Sequence, residues 1–252
     1  TTDGSSSTAI NVTTPVTEVD ATSAAGTLTL TATLSVATFE NVTVALDPTG
    51  TATEGTDYVT ISNITVSAGD TSGTATFDPT DDSKYESATA ETSIVAITSV
   101  SGGNATESGT QTATISITEN ESAPTVTLAT SGSTLDENSN STITLTATLS
   151  GTTYEDVTVA LTPTGTATEG SDYETIADIV ISEDATTGTA TFETKDDCIT
   201  EGSTDETATV AITGVSGGGA SESGTQSVAL AIDDDEGAPV VTLASSATSI
   251  TE

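Results

Sequence analysis

Apolar and polar residues take turns along most of this chain. Ile143, Leu145, Ala147 and Leu149 alternate with threonines, as do Val157, Val159 and Leu161. Runs of the same kind recur at residues 176–181, 189–192, 207–213 and 227–232. A period of two, rich in β-branched residues, predicts strands with one face on a core and one in water. Threonine on the wet face favours the strand. Turn-forming groups such as Pro163-Thr-Gly165 and Gly217-Gly-Gly219 separate the runs. No stretch of useful length carries a helical period. The expected fold is all-β, with about seven strands in each stretch of domain size, as in an Ig-like β-sandwich.

The alternation is written twice. Pro48-Thr-Gly-Thr-Ala-Thr-Glu-Gly-Thr-Asp57-Tyr58 returns as Pro163-Thr-Gly-Thr-Ala-Thr-Glu-Gly-Ser-Asp172-Tyr173, an offset of 115 residues. The same offset carries residues 29–35 onto 144–150, Thr74-Ala-Thr-Phe77 onto Thr189-Ala-Thr-Phe192, and Asp81-Asp82 onto Asp196-Asp197. It also carries Glu86, Glu107 and Glu121 onto Glu201, Glu222 and Glu236. This period is too long for a solenoid repeat and matches a whole domain. Residues 1–121 and 122–237 are thus expected to form two sandwiches. Residues 238–252 read as the first strand region of an incomplete third, because Val240-Val-Thr-Leu243 matches Thr125-Val-Thr-Leu128. Such a remnant belongs either to a longer array or to a pairing with another molecule. The opening Thr-Thr-Asp-Gly is not a signal peptide, which implies a removed leader or a fragment.

Composition sharpens the picture. Among 252 residues, 38 are Asp or Glu, two are Lys, and the formal net charge is -36. Threonine alone accounts for 61 positions. Non-specific nucleic-acid binding needs Lys and Arg to displace counterions and is excluded. Docking on anionic lipid is disfavoured, and no apolar run is long enough to cross a bilayer as a helix. A field of this sign attracts cations and keeps copies apart in solution. It also suits a salt-rich habitat, and both readings stand. Aromatic residues make up 3% of the chain, so each core is expected to bury little area.

The acids are not scattered evenly. Gly165-Thr-Ala-Thr-Glu-Gly-Ser-Asp172-Tyr173 is followed by Thr187-Thr-Gly-Thr-Ala-Thr-Phe192, then by Asp196-Asp197, Glu201 and Glu206. The run at residues 228–232 ends in Asp233-Asp-Asp-Glu236. In these motifs both copies and the terminal remnant resemble Calx-beta domains, the Ig-like modules of sodium–calcium exchangers and many bacterial surface proteins. The resemblance implies a calcium site at one end of each sandwich. Its ligands would be Glu137, Asp172, Asp196, Asp197, Glu201, Asp233, Asp234 and Asp235 in the second copy, and Asp57, Asp81, Asp82, Glu86, Glu119 and Glu121 in the first. Where the second copy has Leu135-Asp-Glu137, the first is read as Val19-Asp20-Ala21, and its closing run Glu119-Asn-Glu121 is thinner. A full site is therefore expected in the second copy. Independently of any family, calcium takes six to eight oxygen ligands, and clustered carboxylates repel one another until a cation intervenes. The competing reading is that these acids are solvated loop residues.

Other signals are secondary. Asn11, Asn41, Asn63, Asn104, Asn120 and Asn140 head glycosylation sequons, and the Thr and Ser faces are candidates for O-linked sugars. Cys198, the sole cysteine, pairs between chains or sits buried as a free thiol. Lys84 and Lys195 are expected in surface ion pairs with Asp82 and Asp196. Tyr58 and Tyr173 are expected to pack locally. The chain has no His for proton shuttling and supplies few aromatic platforms for sugars, so it is not read as an enzyme. The expected role is a secreted, cell-surface spacer or adhesive stalk stiffened by calcium, touching neighbouring repeats. The rival is a filament subunit in which residues 240–252 add a strand to a neighbouring copy, or residues 8–12 receive one.

Overall fold

The computed structural model describes residues 26–86, 88–137, 141–196, 199–201 and 204–246 in full, and the backbone of residues 7–11 and 16–17. Asp20, Asn140, Asp197 and Cys198 lie outside the described residues. The chain divides into two compact units, Thr1–Ser122 and Ala123–Glu252.

Unit 1 contains β1 (Ser7–Asn11), β2 (Val16–Thr17), β3 (Leu28–Leu34), β4 (Val42–Gly50), β5 (Ile64–Val66), β6 (Ser72–Phe77), the two-residue β7 (Lys84–Tyr85), β8 (Glu91–Ser101), β9 (Thr106–Glu107) and β10 (Thr112–Thr118). They build two sheets, ordered β6-β3-β1-β9 and β2-β10-β8-β4-β5. Unit 2 contains β11 (Thr125–Thr130), β12 (Thr134–Asp136), β13 (Thr142–Leu149), the two-residue β14 (Thr152–Thr153), β15 (Val157–Gly165), β16 (Ile179–Ile181), β17 (Thr187–Glu193), β18 (Glu206–Ser216), β19 (Ser221–Glu222) and β20 (Ser227–Asp233). Its sheets have the same order, β17-β13-β11-β19 and β12-β20-β18-β15-β16. Both units are all-β, with curled sheets consistent with tandem Ig-like sandwiches.

The sheets hold more strands than the seven expected per domain, for two reasons. The first strand of each unit is divided, so that β11 joins one sheet and β12 the other across residues 131–133. The short β19 also pairs in parallel with β11, through Thr125 with Ser221 and Val126 with Glu222. One run is shorter than its pattern predicts. Of residues 176–181 only Ile179–Ile181 is strand, because β15 pairs only those three through Val157, Thr158 and Val159.

The alternation does what its period demands. In β13 the apolar Ile143, Leu145, Ala147 and Leu149 are buried, and the threonines between them are exposed or half-buried. The core of unit 2 gathers these with Val157, Val159, Ile179, Ile181, Phe192, Val210 and Leu230. Unit 1 has an equivalent set, including Leu30, Val42, Val44, Ile64, Phe77, Val95 and Ile115. Alanines 147, 190 and 208 occupy inward positions, so the core gains less per residue than one filled with Leu and Ile.

Residues 240–243 form no strand, and Val240, Val241 and Leu243 are exposed. β1 pairs with β3 over Thr8–Asn11 and, on its other side, with β9 at Ser7 and Thr8.

Candidate metal centre

The loop after β15 is set by backbone chemistry. Gly165 takes φ +150, and a Cβ there would lie 2.0 Å from the carbonyl oxygen of Thr207. Only glycine lets the two strands close at this point. Beyond it, the Asp172 carboxylate accepts the N–H of Thr168. The N–H of Gly170 donates to the Tyr173 carbonyl at 2.8 Å. Tyr173 then stacks on Phe192, ring centres 4.8 Å apart, which anchors the loop to the core. Unit 1 repeats every part: Thr53 N–H on Asp57, Gly55 on the Tyr58 carbonyl, and Tyr58 stacked on Phe77 at 4.6 Å. The local packing expected of both tyrosines is what the rings do.

Other elements bring more carboxylates to the same end of unit 2. β12 pairs with β20, setting Asp136 beside Asp233, and the next residue, Glu137, donates its N–H to the Asp233 carbonyl at 3.0 Å. Glu137 is 1% exposed and Asp172 is 4% exposed. Asp234 accepts the backbone N–H of Glu201 at 2.9 Å and of Glu236 at 3.0 Å, one on each carboxylate oxygen. A single side chain thus ties the loop before β18 to the acids after β20.

Two groups of carboxylate oxygens result, each lying within 4.8 Å of one another. One joins Glu137, Asp172 and Glu201, and the other joins Glu137, Asp234 and Glu236. Glu137 belongs to both, so the groups adjoin. In unit 1 the corresponding group is Asp57, Glu86 and Glu91. Glu119 takes the part of Asp234, accepting the N–H groups of Glu86 at 2.7 Å and Glu121 at 2.9 Å.

Such crowding is costly for charged acids, and the proton affinities record it. Burial, then the charges of Asp57, Asp82 and Glu119, pushes Glu86 up to about 7. Burial and Asp57 push Glu91 up to about 7, and burial and Glu119 do the same to Glu121. Glu206, at the start of β18, is pushed up to about 7 by burial and by its hydrogen bond and charge contact with Asp172. Partial burial and Asp234 raise Glu236. Glu119 goes the other way: burial works against its charge, but hydrogen bonds from Glu121 and from backbone N–H groups outweigh it and hold the carboxyl low.

The donor set is all oxygen, as calcium prefers, and the second group of unit 2 adjoins the first through a buried glutamate. The buried Oε2 atoms of Glu206 and Glu236 have no hydrogen-bond partner. The residues present therefore fit a hard divalent cation.

Of the expected ligands, Asp57, Glu86, Glu137, Asp172, Glu201 and Asp234 enter these groups. Glu119 and Glu121 stand beside the group of unit 1, linked to it through Glu86. Asp81, Asp82 and Asp196 do not enter a group but act by charge on Glu121, Glu86 and Glu236 respectively. Asp233, at the end of β20, and Asp235 are both exposed, and neither joins a group. Sequence reasoning left Glu91, Glu206 and Glu236 out of the ligand set. The first two are equivalent by the repeat offset, and Glu236 was visible as the partner of Glu121.

The register of β2 bears on the early position of unit 1. Val16 and Thr17 pair with Ile117 and Thr118, as Leu135 and Asp136 pair with Ile232 and Asp233. The next residue in sequence is Glu18 in one case and Glu137 in the other, while Val19-Asp20-Ala21 lies outside the described residues. Lys195 differs from expectation as well. Lys195 lies 3.7 Å from Glu174 and donates to the Gly170 carbonyl at 2.7 Å rather than pairing with Asp196. It reaches back to the Asp172 loop because its own N–H already bonds the Asp172 carbonyl.

No family model matches the chain, and no curated protein matches it. Among solved structures it is similar to CBD12 from CALX1.2, at 15% identity over 90% of this chain and 99% of that one, with a TM-score of 0.39. It is similar to the calcium binding domain CBD12 of CALX1.1, at 14% identity over 87% and 96%, with a TM-score of 0.36. It is also similar to the Yersinia pseudotuberculosis adhesin InvE, at 12% identity over 92% of this chain and 61% of that one, with a TM-score of 0.38. These are distant resemblances.

Proposed function

We propose that this chain is a non-enzymatic spacer segment of an extracellular surface or adhesive protein, built from β-sandwiches that calcium holds together. The supporting observation is the pair of adjoining carboxylate groups that share buried Glu137. An acid taken so far from water is strongly disfavoured as a charge unless something cationic meets it. Chain-wide there are two lysines against 38 acids, so a cation from solution is the natural partner.

Glu137, Asp172, Glu201, Asp234 and Glu236 would hold the ion or ions in unit 2, with Glu206 beside them. Asp57, Glu86 and Glu91 would do so in unit 1, with Glu119 positioning the loop. When bound, calcium would neutralise acids contributed by four separate segments and fasten them together. The sandwich domains are taken as residues 1–121 and 122–237. Placement outside the cell rests on the acidic, Thr-rich composition, as does the candidacy of the sequon asparagines for glycans.

The test is calorimetric titration of the full chain with CaCl2 after chelator treatment. Saturable binding that persists in 0.15 M NaCl, and that falls by at least one ion per chain in E137Q, is expected. Binding that vanishes in salt, or is untouched by E137Q, would mean that the acids are solvated surface.

A further inference from the structure

Residues 35–41 join β3 to β4, and within them Phe39 stands wholly in solvent. With Ala37, Thr38, Ala68 and Gly69 it lines an open cleft of about 380 Å³. In a chain with 38 acids, an exposed aromatic over an uncharged cleft marks a surface that something packs on.

The cleft adjoins the turn after β8. The Thr38 hydroxyl donates to the Glu40 carbonyl at 2.7 Å, and the Thr38 carbonyl accepts the Gly69 N–H at 2.9 Å. A Cβ on Gly103 would lie 2.7 Å from the Thr38 Cβ, so the backbone of the turn rests on that threonine. The next residue on the turn is Asn104, as Phe39 is the next on the loop. Asn104 is exposed, has a φ of 50°, and heads the sequon Asn104-Ala105-Thr106. Its side chain has no hydrogen-bond partner among the described residues.

The repeat separates Asn104 from the other sequons. Asn41 accepts the N–H of Ala68 at 2.9 Å, and Asn63 that of Leu46 at 3.3 Å. At the same offset Asp156 accepts the N–H of Glu183 and Asp178 that of Leu161. Those two positions therefore need an acceptor oxygen, which aspartate supplies equally. The Asn120 amide nitrogen already donates to Asp81 at 3.3 Å. The counterpart of Asn104 is Gly219, with a φ of 60°. The turn needs only a positive φ there, which asparagine tolerates, so the Asn104 amide has no structural duty. The cleft changes in step: Ala37, Ala68 and Gly69 become Thr152, Glu183 and Asp184 in unit 2, which has no sequon at this turn.

We infer that Asn104 is a site of N-linked glycosylation whose first sugar seats on Phe39 across the cleft. The co-substrate is an oligosaccharide carried on a polyprenyl pyrophosphate. The amide nitrogen bonds to the anomeric carbon as the bond from that carbon to the pyrophosphate oxygen breaks. The electron pair leaves with the pyrophosphate, and the amide releases one proton to solvent. The C–H face of the sugar then meets the electron-rich face of the Phe39 ring. The site goes beyond the calcium reading and does not rest on it, since none of its residues belongs to a carboxylate group.

The test treats the folded full chain with an oligosaccharyltransferase first shown to modify a peptide spanning residues 101–109, followed by peptide mass spectrometry. The chain carries N11Q and N140Q, because those side chains lie outside the described residues. Added mass is expected on Asn104, and N104Q should lose it while Asn41, Asn63 and Asn120 stay largely unmodified. A folded chain left unmodified at Asn104, or equal occupancy at the four sequons, would overturn the inference. The seat has its own readout. The glycosylated chain should unfold a few degrees higher than the unmodified one, and F39A should remove that gain. F39A should leave the unmodified chain unchanged, because Phe39 is wholly exposed. No gain, or a gain that persists in F39A, would overturn the seat. Calcium titration should give the same binding with and without the glycan, so that failure of either reading is seen separately.

Discussion

Glu137 and Asp172 touch the same carboxylate group but have different second duties. Asp172 also closes its loop by accepting the Thr168 N–H, whereas the burial of Glu137 brings a carboxylate into two groups that together hold four others. Replacing the two should therefore have opposite effects without calcium. In chelator, E137Q should unfold at the same temperature as the parent or higher, since a crowded buried charge is gone. D172N weakens a charge-assisted hydrogen bond and should lose about 1.5–3 kcal/mol, read from denaturant unfolding. With calcium present, both should lose stability relative to the parent. Protons act on the same groups. Glu86, Glu91, Glu121 and Glu206 are pushed up from an ordinary 4.5 to about 7. These acids hold protons more tightly folded than unfolded. Their contribution is complete below about pH 4.5 and is lost as the pH climbs through 7. The calcium-free chain should accordingly melt at a higher temperature at pH 5 than at pH 8. With saturating calcium the order should reverse, because bound carboxylates must be deprotonated. Equal melting temperatures at the two pH values in chelator would contradict the crowding seen around Asp57 and Asp172.

Single strands and loops show why some of this was legible and some was not. The alternation in β13 and β15 reports burial directly, since successive side chains point to opposite faces. The Gly-Thr-Ala-Thr-Glu-Gly-x-Asp-Tyr loop was recognisable because glycine, aspartate and tyrosine each meet a separate backbone or core demand. Among those demands, Gly165 is the most restrictive. G165A should cost more than G170A, because both require positive φ but only at Gly165 would the new Cβ meet a carbonyl. The left-handed penalty alone is about 1–2 kcal/mol, and denaturant unfolding of the two variants would measure the excess. The acid set was harder to read. Asp233, Asp234 and Asp235 look alike in sequence, yet Asp233 is still in β20 and turned to solvent while Asp234 caps two N–H groups. Glu91 and Glu206 open β8 and β18, where an acid looks like ordinary wet-face polarity. The early position of unit 1 was hard to align because the offset changes ahead of β3. Val16 matches Leu135 and Thr8 matches Val126, which are spacings of 119 and 118 rather than 115.

The molecule as a whole carries two versions of one sandwich with unequal acid endowments. Unit 2 has two adjoining carboxylate groups, and unit 1 has one among the described residues. Their cores are similar and lean on alanine, so an ion should matter more to unit 2. A ligand held at 100 times its Kd adds about 2.7 kcal/mol. For a domain of this size, each kcal/mol raises the unfolding temperature by roughly 4–8 °C. The most direct measurement is thermal unfolding of the full chain in calcium and in excess chelator, monitored by calorimetry, with E137Q beside the parent. The account predicts two transitions, of which the one belonging to unit 2 rises by about 10 °C or more in calcium and stays put in E137Q. Superimposable traces in calcium and chelator would contradict it and would leave the 38 acids as a solvated coat on sandwiches that fold without metal.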